Sequence, residues 1–511
     1  MNPWPHQSAG LSELCDLIEQ GDTRICLTSP TGGGKTLMMG HLIPWAAERG
    51  CKVSLYTHRS MLLEQTAERL ASFGISFGVR AAGYEPDLFA DVQLSSIQTE
   101  DARTLKASKW NLHEANLVLI DEAHANKAGV TQELIDAHIN QGAAVVGFTA
   151  TPIEIGHIYD TLVQAGTNKQ LRECGAHVLA HTYAPDEPDA RNLKRIKTGE
   201  FSSESNRKAI MTPTIFGRVF PHAQKLNPDM YGILLFAPGV PESLGFAEES
   251  TRRGIPAAHI DGEKIWINGD TMPATKENRD LLRKMSESGD ISMVCNRFVL
   301  REGIDWPHIR HGIFATCFGS LTAFLQSGGR LLRSAPGKDH CIVQDHGGNW
   351  WRHGSLNSDR EWHLTDTERK LREERAEKMR NKKPGEIDPE PITCPKCMKV
   401  RLWGQQCPAC GFTSIGKSRM VIQLDGSLRR MKGDIYKPHR VDDRPEALKN
   451  WERCYYRAKN SRRGMTFNQA RALYANENGY KYPAENLPLM PKDKTDWYLP
   501  VASVPWDRLN H

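Results

Sequence analysis

The sequence predicts an α/β chain of two tandem lobes on parallel sheets, followed by a four-cysteine ribbon and a small basic helical tail. Three observations predict it. Short apolar runs alternate with helix-like segments over residues 24–148, and the same rhythm returns over 232–344. Beyond residue 390 two CxxC pairs and a basic stretch replace that rhythm. At 511 residues the chain is too long for one domain, and its 39% hydrophobic content suffices for packed cores.

Taken in order, the first set of strands reads "RICLTS" (24–29), "KVSLYT" (52–57), "NLVLI" (116–120) and "AAVVGF" (143–148). The second set is "GILLF" (232–236), "PAAHI" (256–260), "ISMVC" (291–295), "GIFATC" (312–317) and "HCIVQ" (340–344). A polar, strand-poor stretch separates them. The expected boundaries are lobe one at 1–155, a connection at 156–225 and lobe two at 226–360. A charged helical spacer follows at 361–390, with Glu368/Arg372 and Glu374/Lys378 at i,i+4 spacing, then the ribbon at 391–415 and the basic region at 416–511.

Charge and cysteine usage narrow the class. The net formal charge is only +5, but residues 417–464 hold 14 Lys/Arg against 6 Asp/Glu, so the basicity belongs to the C-terminal part. The start "MNPWPHQSAG" lacks a secretory pattern, no apolar run is long enough to cross a bilayer, and eight of the 12 cysteines stand singly. The expectation is a reduced protein of the cytoplasm, bacterial or of a phage-infected host.

The strongest chemical signal is "SPTGGGKT" (29–36), between a strand and the helix-like "LMMGHLIPWAAERG". Gly32, Gly33 and Gly34 let backbone N–H groups wrap phosphates, and Thr31 belongs to the same loop. Lys35 is placed to reach the β/γ-phosphates and the Thr36 hydroxyl to ligate Mg²⁺. An incidental glycine-rich turn is the other reading, which strand before and helix after oppose. Such a loop requires an acidic partner at the end of another strand, and "NLVLIDEAH" supplies Asp121 for Mg²⁺ and Glu122 for the attacking water. The stretch "FLQSGGRLLRS" (324–334) sets Arg330 and Arg333 three residues apart, on one helix face. Alone they read as surface charge; beside a phosphate loop they read as the second half of the same site.

With these residues in order, the chain resembles the superfamily 2 helicases and translocases of the DEAD/DEAH-box type. Among them it is similar to phage and bacterial members related to UvsW and to restriction-enzyme motor subunits. The resemblance covers residues ~1–355 and implies two RecA-like lobes with ATP bound between them. By this likeness Gln7 reads adenine, and Thr57 and Arg59 of "YTHRSMLLEQ" and Ser96, Gln98 and Thr99 of "SSIQT" meet a nucleic-acid backbone. Thr149 and Thr151 of "GFTATP" couple hydrolysis to movement, as does His124, and "LLFAPGV" (234–240) resembles motif IV. Gly303 and Asp305 of "VLREGIDWP" lie near the ribose and the lobe interface, although Arg301 stands where relatives often carry threonine. Gln326, Gly329, Arg330 and Arg333 resemble motif VI, whose arginines stabilise charge developing on the γ-phosphate. "DHGGNWWRHG" (345–354) fits the same group.

The ribbon "CPKCMKVRLWGQQCPACG" presents Cys394, Cys397, Cys407 and Cys410 as two knuckles, the thiolate set of a structural Zn²⁺; a redox CxxC is the alternative. Lys396, Lys399, Arg401 and Trp403 suit stacking on bases and meeting phosphates, or else Trp403 packs the ribbon. In the tail, Arg453, Arg457, Lys459, Arg462 and Arg463 crowd a helix end and turn, with nucleic acid or the acidic remainder of the chain as partner. The expected activity is ATP-dependent movement along nucleic acid, DNA favoured over RNA, by a protein more suited to a monomer than a ring. An RNA helicase and a DNA-dependent remodeller of protein complexes are the competing readings.

Overall fold

The computed structural model describes residues 2–412, except 59, 126–128, 185–191, 197–198, 302–304, 381–390, 395, 398 and 403–405; beyond 412 it describes only 423–424, 427–428, 451, 454 and 474. Arg59, Gly303, Trp403, Arg453, Arg457, Lys459, Arg462 and Arg463 therefore lie outside the described residues.

The first sheet has seven strands: β1 (Arg24–Thr28), β2 (Val53–Thr57), β3 (Gly78–Arg80), β4 (Val92–Ser96), β5 (Leu117–Ile120), β6 (Ala144–Thr149) and β7 (Thr161–Gln164). Their spatial order is β3-β4-β2-β5-β6-β1-β7, and every pairing is parallel. Helices α1 (Pro5–Glu19), α2 (Lys35–Ala47), α3 (Ser60–Ser72), α4 (Ile97–Glu100) and α5 (Gly129–Asn140) accompany it. Central strands read as unbroken apolar runs because helices cover both faces of a parallel sheet. One face is packed by Leu14, Met38, Leu42 and Leu63, and the other by Leu134, Ile135 and Tyr159.

A short helix, α6 (Asn168–Glu173), leads to the second sheet. It contains β8 (Leu179–Tyr183), β9 (Ile233–Phe236), β10 (Ala257–Ile260), β11 (Lys264–Ile267), β12 (Asp270–Pro273), β13 (Met293–Asn296), β14 (His311–Phe314) and β15 (His340–Asp345). The order is β12-β11-β10-β13-β9-β14-β15-β8, parallel except for the β10-β11-β12 meander. Helices α7 (Ser203–Ile210), α8 (Pro213–Leu226), α9 (Val240–Arg252), α10 (Lys276–Ser288), α11 (Leu321–Leu331) and α12 (Asn349–His353) complete this lobe.

The stretch 156–225 is not strand-poor. It holds β7, an edge of the first sheet, and β8, an edge of the second. Neither contains an apolar run, because an edge strand has one exposed side and tolerates "TLVQ" and "LAHTY". The outermost strand β12 lacks an apolar run for the same reason, with three of its four residues exposed.

After lobe two the chain doubles back over lobe one. Gln164 on β7 donates to the Arg360 carbonyl (2.9 Å) and Asp366 O accepts from the Glu154 N–H (2.8 Å), while Leu364 packs beside Ile155 and Tyr159. Helix α13 (Glu368–Arg380) then begins, and the Glu368 carboxylate accepts the Leu321 N–H at the start of α11 (2.8 Å). The Glu368/Arg372 side-chain pair expected from spacing is thus replaced by a cap on a helix of lobe two. A helix N-terminus carries unpaired N–H groups and partial positive charge, so a carboxylate there outcompetes a solvated ion pair.

The four-cysteine segment folds as an antiparallel hairpin, β16 (Pro391–Thr393) and β17 (Val400–Leu402), and Lys399 bridges to Tyr183 at the open edge of β8. In the tail, Trp451 and Tyr474 are buried with ring centroids 5.9 Å apart.

One buried ion pair holds the far edge of the first sheet. Arg80 and Glu100 are each under 5% exposed and meet through two contacts of 2.6 and 3.1 Å, with Thr104 and the Asn111 carbonyl completing the set. Glu100→Gln is expected to destabilise the protein by about 3–5 kcal/mol, because it strands a buried guanidinium. Urea denaturation of the two proteins checks this.

Candidate functional site

Three neighbouring strands of the first sheet, β5, β6 and β1, end at one edge, and the candidate residues project from those ends. Such an edge, beside a reversal of strand order, is where open parallel sheets bind ligands. The phosphate loop leaves β1 and enters α2, with Gly34 as its N-cap at φ +81° and Gly32 at φ +88°. Added Cβ atoms would stand 2.7 Å from His177 at Gly32, 2.1 Å from Ser29 Oγ at Gly33 and 2.3 Å from Gln7 Nε2 at Gly34. Only glycine fits these positions. The Lys35 ammonium points back to the Ser29 carbonyl (3.4 Å); burial lowers its pKa, opposed by the charges of Glu122 and Asp121. Thr36 is the second residue of α2, beside Lys35.

Asp121 and Glu122 follow β5. Burial and then Glu122 push the Asp121 carboxyl up to about 7, against the pull of Lys35. Removing a carboxylate from water disfavours its charged form, and a nearby cation restores it. That is the electrostatic setting of a divalent cation site, with Asp121 and the Thr36 hydroxyl as the groups that would hold Mg²⁺. Glu122 sits at φ +49°, a conformation that is costly for a residue with a side chain and that recurs at functional sites.

The second lobe reaches this edge through α11. Gln326, buried at 2% exposure, donates through Nε2 to His124 Nε2 (2.9 Å). His124 Nδ1 lies 2.9 Å from Thr149 Oγ1 and 3.4 Å from Glu122, and Thr149 Oγ1 also accepts the Thr151 N–H (3.0 Å). A continuous hydrogen-bonded path therefore runs from the end of β6, through the residue two after Glu122, to α11. Gly329 allows the close approach: a Cβ there would stand 2.4 Å from that of Thr31.

The two arginines are not equivalent. Arg330 donates through Nε to the Arg301 carbonyl (2.9 Å), and its charge acts on both Lys35 and Asp121. Arg333 is ion-paired with Asp305, which also lies 3.8 Å from Arg69 of α3. Asp305, expected near a ribose and the lobe interface, holds the second arginine and approaches Arg69 of lobe one. Spacing alone could not show this, since the two residues are 28 apart in the chain.

Other expected residues are placed as follows. Gln7 is fully buried; its Oε1 accepts the Trp4 N–H (2.8 Å) and its Nε2 donates to the Gly33 carbonyl (2.8 Å). Gln7 is therefore committed to the phosphate loop. Thr57 is fully buried at the end of β2, and Thr99 is buried and accepts the Ala82 N–H (3.3 Å). Ser96 and Gln98 are the more accessible pair, with Gln98 donating to the His58 carbonyl (2.8 Å).

The residues that fasten α11 were not foreseen. Glu200 accepts from the N–H groups of Gly319 (2.9 Å) and Ser320 (3.0 Å). Asn349 accepts the Phe318 N–H (2.7 Å) while Asp345 accepts from Asn349 (2.8 Å) and the Trp350 N–H (2.7 Å). Asp345 and Asn349 belong to "DHGGNWWRHG", which thus acts by fixing the loop before α11.

The four cysteine sulfurs lie within 4.8 Å of one another, with Cys394–Cys410 at 3.6 Å and Cys397–Cys407 at 3.5 Å. Thiolates about 2.3 Å from a central ion in a tetrahedron stand roughly 3.8 Å apart, so the set can hold a metal.

Residues 1–154 match the family model described as type III restriction enzyme, res subunit. A 51.5 kDa protein of Lactococcus phage (isolate 7-9) is 26% identical over 443 residues, 85% of this chain and 88% of its own length. IRC3 of Saccharomyces cerevisiae, whose given name is that of an ATP-dependent helicase, is 25% identical over 372 residues, 66% of this chain and 50% of its own. The fragment structure of an HsdR-type subunit of a type I restriction enzyme from Vibrio vulnificus YJ016 shares the fold. Its TM-score is 0.52 at 14% identity, covering 70% of this chain and 67% of that one. The two-lobed chain thus resembles the restriction-enzyme res family over residues 1–154, is similar to a helicase-named yeast protein over 372 residues, and shares its fold with a restriction-enzyme subunit fragment.

Proposed function

We propose that the protein hydrolyses ATP to move along nucleic acid, with DNA as the track. The observation that carries this is the contact of Gln326 with His124: the helix bearing Arg330 touches the segment bearing Glu122, so hydrolysis depends on how the lobes meet. Helicase-type relatives support an ATP-driven motor, and restriction-enzyme names among them favour DNA. Lys35 and Mg²⁺, held by Thr36 and Asp121, neutralise the phosphates, and Glu122 orients the water. Arg330 and Arg333 meet the charge that develops on the γ-phosphate. The accessible Ser96 and Gln98 of lobe one face the strand, and Arg59 is assigned to the same contact. We further assign Zn²⁺ to the four cysteines and nucleic-acid contact to the basic tail, including Arg457, Arg462 and Arg463. Among the described residues no helix is long and apolar enough to cross a membrane, and a cytoplasmic setting is part of this reading.

ATP turnover measured with single-stranded, duplex, forked and four-way DNA and with RNA tests this reading. Stimulation by DNA is expected. Stimulation by RNA alone overturns the DNA assignment, and stimulation without strand separation favours a remodeller. Metal analysis is expected to find one zinc per chain, and chelation to unfold the 391–412 hairpin, since binding of order 10 kcal/mol holds a module with little core of its own. Intact cysteine hairpin structure after chelation refutes the zinc assignment.

A further inference from the structure

His177 lies just before β8, in the segment that joins the lobes, and no sequence motif marks it. Its backbone runs antiparallel to the residues just past the arginine helix. Val178 N–H donates to Leu332 O (2.8 Å), Ser334 N–H donates to Ala176 O (3.1 Å), and His177 faces Arg333 as a bridge pair. Its side chain reaches the opposite lobe, where Nε2 stands 2.8 Å from the Thr31 carbonyl oxygen in the phosphate loop.

The carbonyl can only accept, so Nε2 carries the proton and Nδ1 the lone pair. Nδ1 is buried with no hydrogen-bond partner, on a residue only 4% exposed. An unsatisfied buried acceptor costs free energy, so packing alone is a poor reason for a polar ring here. Burial pushes the imidazole down to about 4, against the pull of the Thr31 carbonyl, which keeps it neutral at physiological pH.

The contact also has a directional consequence. In a trans peptide the C=O and N–H of one unit point opposite ways. Holding the Thr31 carbonyl toward the histidine therefore turns the Gly32 N–H away from it, to the other side of the loop. The fit is close, since a Cβ on Gly32 would lie 2.7 Å from Nε2.

We propose that His177 is a positioning residue for nucleotide hydrolysis: its Nε2–H sets the Thr31–Gly32 peptide of the phosphate loop, and its backbone ties that setting to the segment carrying Arg333. The inference rests on the ATPase reading above. It gives the two halves of the site a direct link that bypasses Gln326 and His124.

The test compares His177→Phe, His177→Asn and His177→Gln in the full chain. Phenylalanine keeps a ring without a donor, asparagine stops short of Thr31, and glutamine can present an N–H near the Nε2 position. DNA-stimulated kcat and KM, affinity for a fluorescent ADP analogue, and thermal melting are measured for each. His177→Phe and His177→Asn are expected to lose about tenfold in kcat, the equivalent of one hydrogen bond. ADP affinity stays close to wild type, because Gln7 and α2 still hold the loop, and His177→Gln restores most of the turnover. Wild-type kcat in His177→Phe and His177→Asn overturns the proposal. So does an equal loss in all three variants, which marks packing, or a loss confined to ADP affinity. Lys35→Ala in the same assay separates the two levels: if it hydrolyses ATP like wild type, the ATPase reading fails and the proposal with it.

Discussion

Arg330→Ala is expected to lower ATP turnover by about 10³–10⁵ while leaving ATP binding largely intact, as loss of an arginine supplied from a second domain does. The effect is expected to be larger at Arg330, whose charge acts on both Asp121 and Lys35, than at Arg333, whose charge acts on Lys35. Arg333→Ala is expected to collapse turnover too, by a route that includes release of Asp305 from its ion pair. Binding of a fluorescent ATP analogue and steady-state hydrolysis, measured side by side, check both. Normal hydrolysis in the two variants returns them to the status of interface charges. The physical reason for a pure rate effect is that the γ-phosphate gains charge distribution to stabilise only as its bond breaks, whereas the loop on lobe one binds the ground state.

Lys35→Ala abolishes hydrolysis in the same picture, and Glu122→Gln lowers it by about 10²–10⁴, the range for removal of a general base. The two differ in what survives. Lys35→Ala removes a cation from the phosphates and weakens ATP binding as well as turnover. Glu122→Gln keeps size and hydrogen bonding but not the negative charge, so ATP binding persists. Unchanged turnover in Lys35→Ala removes the phosphate-loop assignment. Comparable loss of ATP affinity in Glu122→Gln contradicts its role toward the water. The strained φ of Glu122 adds a point of design: its backbone is held in place by its surroundings, including the Asp121 Oδ1 contact to its N–H (2.9 Å).

Much of the first lobe was readable from one dimension. A buried parallel strand must be apolar on both faces, so β1, β2, β5 and β6 announced themselves, and β9, β10, β13, β14 and β15 did so in lobe two. The loop "SPTGGGKT" was equally plain, and its glycines answer to neighbours that an added Cβ would meet at 2.1–2.7 Å. Edge strands β7 and β8, half wet and polar, carried no such mark. Spacing also misled in one place: Glu368 had a partner in its own helix by i,i+4 counting, yet caps α11.

What no local pattern contained is the list of partners across the lobes. His124 and Gln326 are 202 residues apart and His177 and Thr31 are 146 apart. A side chain's local sequence sets which element it belongs to and which chemistry it offers, because propensity and hydrophobic periodicity act within a few residues. Which distant group it meets depends on how two separately folded sheets are set against each other, by the α6 connection, the strap over β7 and the closeness that Gly329 allows. The phosphate loop and its acidic partner are thus written in the chain as local text. The proposed site that joins them to Arg330, Arg333 and His177 forms only once the lobes pack, since burial and hydrogen bonding between them are properties of the packed interface.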